Sequence, residues 1–209
     1  MQTDQSECAL PKRQSNLKEK RKQAIFEAAV LCFNECGYFG TNIETIAERA
    51  HISKGGLYHY FSSKKELFKE LFLYSVNKYF FHMKAYLRPE DSPAEQLGVV
   101  VTSASQMLKE NEDFYRFCLE FLSKGARDHE IREIVTGFYN NSIATVRHIV
   151  EEGIRRGDFK DSVDAGQVAR SFYLAVMGAY FTYFSVDVDF KIQEQHAFDI
   201  DTIISKIRR

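Results

Sequence analysis

The sequence predicts an all-α protein in two parts, a small N-terminal helix-turn-helix domain joined by a long helix to a larger helical body. Three observations carry this. Apolar residues recur at i, i+3, i+4 and i+7 in segment after segment. No alternating run rich in Val, Ile and Thr calls for a sheet. Basic residues gather at one end: Lys12 to Lys69 holds 11 Lys and Arg against 6 Glu, a balance of +5. The remainder of the 28 basic and 29 acidic residues, 17 and 23, leaves the rest at −6 although the whole chain is only −1. A basic head on an acidic body suits a protein that presents one end to a polyanion.

At 209 residues and 44% hydrophobic content the chain can bury a substantial core. No run of 18 apolar residues exists, so no membrane partner is expected. The start, MQTDQSECALPKRQSN, lacks the apolar region of a signal peptide, which points to a cytoplasmic protein. Cys8, Cys32, Cys36 and Cys118 show neither CxxC nor a secreted-framework spacing, and read as reduced thiols in or near the core.

Residues 1–15 are expected to be a disordered basic tail, in which Lys12 and Arg13 either reach a minor groove or are merely solvated. The first helix is expected from about Leu17, capped by Asn16 with Glu19, to Cys36, with Ile25, Ala28, Ala29, Cys32 and Phe33 as its buried stripe and Gly37 as its stop. The stretch that follows, Thr41 to Glu66, organises the head. Thr41 with Glu44 forms a candidate capping box, and Ile43, Ile46, Ala47 and Ala50 make one apolar face two turns long. His51-Ile52-Ser53 is the turn. Ser53 can cap a second short helix that begins Lys54-Gly55-Gly56, a weak helical start at about 1 kcal/mol per Gly. Such a start suits a backbone that must approach a phosphate or a base edge. Leu57 and Phe61 face the core, which turns Tyr58, His59 and Tyr60 outward. Ser63 and Glu66 open the next helix, which runs to about Leu87 and bridges a DNA-binding domain at 16–72 and a second domain at 73–209.

These residues place the chain by resemblance. Gly37-Tyr38, Thr41-Asn42, Ile46-Ala47, Ala50, Ser53, Gly55, Leu57-Tyr58, Phe61, Ser63-Lys64 and Leu67 fall in register with the DNA-binding signature of the TetR family, over about 55 residues from Lys18 to Phe72. Two positions depart from it: His51 stands where the family usually has Gly, and Lys65 where an acidic residue is common. His tolerates a left-handed turn better than most side chains. Lys54 and Lys64, each at a predicted helix start, are expected to contact phosphate, and the resemblance adds Asn42 and Tyr58. Glu44, Thr45, Gly56, His59 and Tyr60 are candidates for base edges. No Asn, Gln or Arg on this face supplies the usual adenine or guanine contacts, so reading would rest on Lys54, backbone groups, thymine methyls and DNA shape.

In the body, Ser92-Pro93-Ala94-Glu95 is a strong helix start. Further helices are expected after Asn111, after Asp128, over Val163 to Phe184 and over Gln193 to Ile207. The segment from Glu152 to Phe159 is similar to the TetR regulatory half. That similarity implies a ligand cavity inside the fourth to eighth helices and dimerisation through the last two. Phe80, Met83, Met107, Phe114, Phe117, Cys118, Phe121, Phe138, Tyr139, Phe172, Tyr173 and Met177 are the candidate lining, an adaptable apolar set. Ala175, Gly178 and Ala179 form a small-residue strip suited to close approach of a second copy.

His129 with Glu133 and His148 with Glu152 have i, i+4 spacing, but two ligands on one helix arise often by chance, and no metal or cofactor is expected. The expected function is a ligand-responsive, DNA-binding transcriptional regulator, a homodimer that the resemblance makes a repressor released from a palindromic operator by a hydrophobic or aromatic molecule. The alternatives are an activator of the same type, and an all-α enzyme or hydrophobic carrier that retains a helix-turn-helix. No Ser/His/Asp, paired-carboxylate or phosphate-loop motif supports an enzyme.

Overall fold

The computed structural model describes residues 12–187, 189 and 191–209, with side chains from residue 17 onward. Cys8 and residues 1–11 of the expected tail lie outside the described residues. Two compact units divide between Phe68 and Lys69, within a helix and four residues before the boundary expected after Phe72. Among the described residues every regular element is helical, with one isolated bridge between Phe159 and Arg208.

The first unit holds α1 (Lys12–Gly40), α2 (Ile43–Arg49), α3 (Lys54–Tyr58) and the first residues of α4 (Lys64–Tyr86). α1 is already helical at Lys12, five residues before the start expected at Leu17. Gly37 does break the helix, at φ 66°, and a last turn runs on to Gly40. The amphipathic stripe of α1 behaves as its spacing predicts: Ile25, Ala29, Cys32 and Phe33 are buried with Ile46, Leu57, Phe61, Leu67 and Phe68. Phe33 meets Phe68 edge-on at 4.9 Å, a favoured aromatic geometry.

The joint between α1 and α2 corrects one sequence expectation. Thr41 is not the cap. It is buried, and its hydroxyl donates to the carbonyls of Cys32 (2.9 Å) and Gly37 (2.7 Å), closing the end of α1. Asn42 is the N-cap of α2: its Oδ1 accepts from the Thr45 N–H and hydroxyl, both at 2.8 Å. A two-pronged Arg49–Glu35 pair, both contacts at 2.8 Å, ties α2 back to α1. Glu66 reaches back to Ser62, while Ser63 caps through the Glu66 N–H at 3.1 Å.

The second unit holds the rest of α4, α5 (Pro93–Glu110), α6 (Glu112–Gly125), α7 (His129–Arg156), α8 (Ala165–Ser185) and α9 (Ile192–Ile207). Ser92 and Glu95 form the capping box of α5, and Asn111, Asp128 and Asp164 cap the next three helices. The segment at the end of α7 shows why it needs its residues. Gly157 stops the helix at φ 83°, and the Asp158 and Phe159 N–H groups return to the Gly153 carbonyl. The fully buried Phe159 ring lies where a Gly153 side chain would be, 2.2 Å from the position of a Cβ. Glu152 holds Arg155 and Arg156, which keeps its carboxyl low, at about 2. Lys160 N–H then bonds the Ile207 carbonyl and Arg209 N–H the Asp158 carbonyl, fixing the end of α9.

Candidate DNA-binding head and effector cavity

The helix-turn-helix is built on small backbone devices. His51 takes the left-handed conformation at φ 54° that the turn demands. Ser53 caps α3, its Oγ accepting from the Gly56 N–H at 3.0 Å. That leaves the Lys54 and Gly55 N–H groups outside the helical ladder, and a side chain at Gly55 would meet nothing within 4 Å. Tyr58 and His59 are exposed, and Tyr60 is half-buried with its ring 5.7 Å from that of His59. Leu57 and Phe61 point inward and are wholly buried. Lys54, Gly55, Gly56, Tyr58, His59 and Tyr60 thus share one short segment facing away from the core.

Two predicted contacts carry other tasks. Lys54 pairs with Glu44 across α2 and α3, and this bond lowers the Glu44 carboxyl below its ordinary value while raising the Lys54 ammonium. Lys64 is turned into the unit: its Nζ donates to the Tyr38 and Thr41 carbonyls, both at 2.6 Å, and lies 4.6 Å from the Tyr38 ring centre. These carbonyls lie in and just past the last turn of α1, so Lys64 ties the start of α4 to the end of α1 where the sequence suggested phosphate.

Within the second unit α4 to α8 enclose a cavity of about 100 Å³, where one water needs roughly 10–15 Å³. Eight of the twelve predicted residues line it: Phe80, Met83, Phe114, Cys118, Phe138, Phe172, Tyr173 and Met177. The other four do not. Phe117 and Phe121 are buried in the core, Phe121 stacked on Phe72 at 4.0 Å. Tyr139 stands edge-on behind Tyr173 at 5.0 Å, and Met107 is half-buried elsewhere on α5. Sequence reading missed the tyrosines Tyr79, Tyr115 and Tyr180. Helical spacing carried the signal for two of them: Tyr79 precedes Met83 by four, and Tyr180 follows Met177 by three and Tyr173 by seven.

Among the described residues no Asp, Glu, Lys, Arg or His lines the cavity. Burial pushes the Tyr79 hydroxyl up to about 12, and lifts the Tyr115 and Tyr180 hydroxyls and the Cys118 thiol well above their ordinary values. The wall is neutral at physiological pH. Three of its hydroxyls are bonded to the backbone: Tyr115 donates to the Ala104 carbonyl (3.0 Å), Ser142 to Phe138 (3.0 Å) and Thr145 to Asn141 (2.9 Å). The Tyr180 hydroxyl is buried and has no partner in good hydrogen-bond geometry; it has a polar contact with the Tyr115 hydroxyl.

Comparison with known proteins now joins the geometry. The sequence profile of the bacterial regulatory proteins, tetR family, matches residues 25–71, which contain the whole helix-turn-helix. The head is thus a TetR-family DNA-binding domain. The chain is a DNA-binding transcriptional regulator. The uncharacterised HTH-type transcriptional regulator YfiR of Bacillus subtilis (strain 168) is 25% identical over 169 residues, 78% of this chain and 79% of YfiR. The fatty acid metabolism regulator protein of the same organism is 25% identical over 152 residues, 71% of this chain and 76% of that protein. The crystal structure of FadR from Bacillus subtilis in complex with stearoyl-CoA matches the fold with a TM-score of 0.78 at 20% identity, over 89% of this chain and 99% of FadR.

In the second unit the predicted strip on α8 is divided. Gly178 is exposed, and a methyl group there would meet nothing within 4 Å, so it does not make room for a neighbour in its own subunit. Ala175 is half-buried, and Ala179 belongs to the core at 8% exposure. The face around Gly178 instead carries Leu174 and Phe181, 66% and 60% exposed, four residues before it and three after. Among the described residues no group of three or more His, Cys, Asp and Glu converges. His129 and Glu133 are an exposed pair 3.9 Å apart, and Glu152 is held by its arginines. No helix among the described residues is long and apolar enough to cross a membrane.

Proposed function

We propose that the chain is an effector-controlled repressor that binds a palindromic operator as a homodimer and releases it when a small apolar molecule enters the cavity of the second unit. The observation that carries this reading is α4. It is one continuous helix whose first residues, Lys64 to Phe68, belong to the helix-turn-helix unit and whose later residues, Phe72, Val76, Tyr79, Phe80 and Met83, line the cavity. A molecule that moves those later residues moves a part of the head. Ligand and operator then oppose each other by linkage, each weakening the other by the same factor.

DNA contact is assigned to the α3 face, Lys54 to Tyr60, with Asn42 and Thr45 at the start of α2. Dimerisation is assigned to the exposed apolar face of α8 around Gly178, with α9. A single five-residue recognition helix makes too few contacts for tight operator binding, so two heads about one helical turn of DNA apart are required. Fluorescence anisotropy with DNA flanking the protein's own gene tests the whole reading. Tight binding by a dimer, lost in Gly178→Leu together with the dimer itself, is the expected result. Binding unaffected when light scattering shows monomers would sink it.

A further inference from the structure

The Tyr180 hydroxyl separates this cavity from an ordinary apolar core. Tyr180 is 3% exposed, it lines the cavity, and its hydroxyl meets no donor or acceptor in hydrogen-bond geometry. A buried hydroxyl without a partner is unfavourable by about 1–3 kcal/mol, so such groups in a functional cavity call for a ligand atom. The Tyr115 hydroxyl is close enough for a weak hydrogen-bond contact with the Tyr180 hydroxyl, but that contact lacks good geometry, and the Tyr115 proton goes to the Ala104 carbonyl. Of the other wall hydroxyls, those of Tyr115, Ser142 and Thr145 are bonded to the backbone, and no described lining residue is ionic. An ionised carboxylate or ammonium buried here would have no counter-charge, which is far costlier than burying a carbonyl or alcohol.

We infer that the part of the effector held in this cavity is uncharged, an apolar chain or ring bearing one hydrogen-bonding oxygen, and that Tyr180 binds that oxygen. This rests on the cavity being the effector site. The same chemistry can come from a free neutral molecule or from an acyl thioester whose charged carrier remains outside.

The test is calorimetric binding of octan-1-ol, octanoate at pH 8 and octanoyl-coenzyme A to the full-length protein without DNA. Octan-1-ol should bind at least tenfold more tightly than octanoate. Tyr180→Phe should weaken octan-1-ol by about fivefold, the value of one neutral hydrogen bond. The same variant should raise the melting temperature of the unliganded protein, because it removes an unpaired buried hydroxyl. Octanoyl-coenzyme A binding with the same Tyr180 dependence would identify the thioester as the source, and its failure to bind would identify a free neutral molecule. Octanoate binding as tightly as octan-1-ol, an unchanged affinity in Tyr180→Phe, or no binding of any probe overturns the inference. Binding that leaves operator affinity untouched would overturn the repressor reading and leave the ligand chemistry standing.

Discussion

In the first unit the polar side chains near the proposed DNA face already have partners of their own: Asn42 with Thr45, Ser53 with Gly56, Lys54 with Glu44. In the second unit the described lining of the cavity is neutral, and the buried Tyr180 hydroxyl has no partner in good hydrogen-bond geometry. On the proposed function, the head would meet DNA by exchanging existing bonds, and the body would meet its effector by filling a deficit. Exchange favours specificity over affinity, since each contact with DNA displaces an internal one. A deficit favours affinity for whatever supplies the missing atom. If this contrast holds, substitutions in the body should act mainly on stability and effector binding, and those on the head's surface mainly on the salt and sequence dependence of DNA binding.

The largest effect is expected at Gly153. A methyl group there would sit 2.2 and 2.4 Å from two carbons of the fully buried Phe159 ring. Gly153→Ala should cost about 1–3 kcal/mol or more through overpacking, lowering the melting temperature by about 2–4 °C for each kcal/mol in a chain of this size. Adding Phe159→Leu should restore part of the loss. A neutral Gly153→Ala in a thermal melt would mean that this turn does not press ring against helix.

Next comes Lys64, where the structure and the sequence expectation give different answers. Lys64→Met removes two charge-assisted bonds to carbonyls in and just past the last turn of α1. Stability should fall by about 1.5–3 kcal/mol, while the salt slope of operator binding stays where it was. A direct phosphate contact would instead lower that slope by about one. A denaturant titration and a salt titration on the same variant separate the two.

That case shows what could be read from sequence. The head was legible because its geometry demands particular residues at fixed spacing. A left-handed turn at His51, a cap at Ser53 and inward Leu57 and Phe61 each leave a local mark. The inward turn of Lys64 was not legible because nothing local announces that its ammonium turns back to Tyr38, 26 residues earlier. Thr41 lost its expected cap to Asn42 for a similar reason: the Cys32 and Gly37 carbonyls claim its hydroxyl across the α1 turn. In the body, periodicity found two thirds of the expected lining but could not tell Phe117 and Phe121, packed in the core, from Phe114 and Phe138, which face the cavity. Neutrality of the wall is a property of what all five helices omit together, and no single stretch displays it.

A smaller effect is expected at His196. It is buried, its Nδ1 lies 2.8 Å from the Ser105 hydroxyl, and its ring stands edge-on to Tyr180. Burial depresses its pKa below the ordinary value near 6.5. The unfolded chain therefore binds a proton before the folded one does. Stability should be full above about 6.5 and fall as the pH drops from there towards the folded value. Melting temperatures between about pH 7.5 and 6, where carboxylates scarcely titrate, should decline in the wild type and stay flat in His196→Gln. An equal decline in both would assign the loss to other groups.

The smallest effect, Glu44→Gln, tests the exchange itself. Glu44 and Lys54 are both more than half exposed, so their pair adds little to stability, yet it determines what a phosphate meets. In the free protein the Lys54 ammonium is held by its own carboxylate, and any phosphate must displace Glu44 before it gains that cation. Removing the carboxylate should therefore tighten operator binding a few-fold at low salt. The gain should shrink as ionic strength rises. Lys54→Ala should also cost more affinity when combined with Glu44→Gln than it does in the wild type, a coupling that a double-mutant cycle reads directly. The sequence alone suggested another role for Glu44, contact with a base edge, where a carboxylate accepts from cytosine. That role predicts the opposite sign: Glu44→Gln would lose affinity, and discrimination would relax at one base pair. Anisotropy titrations against the operator and a set of single-base variants decide between a carboxylate that guards Lys54 and one that reads DNA.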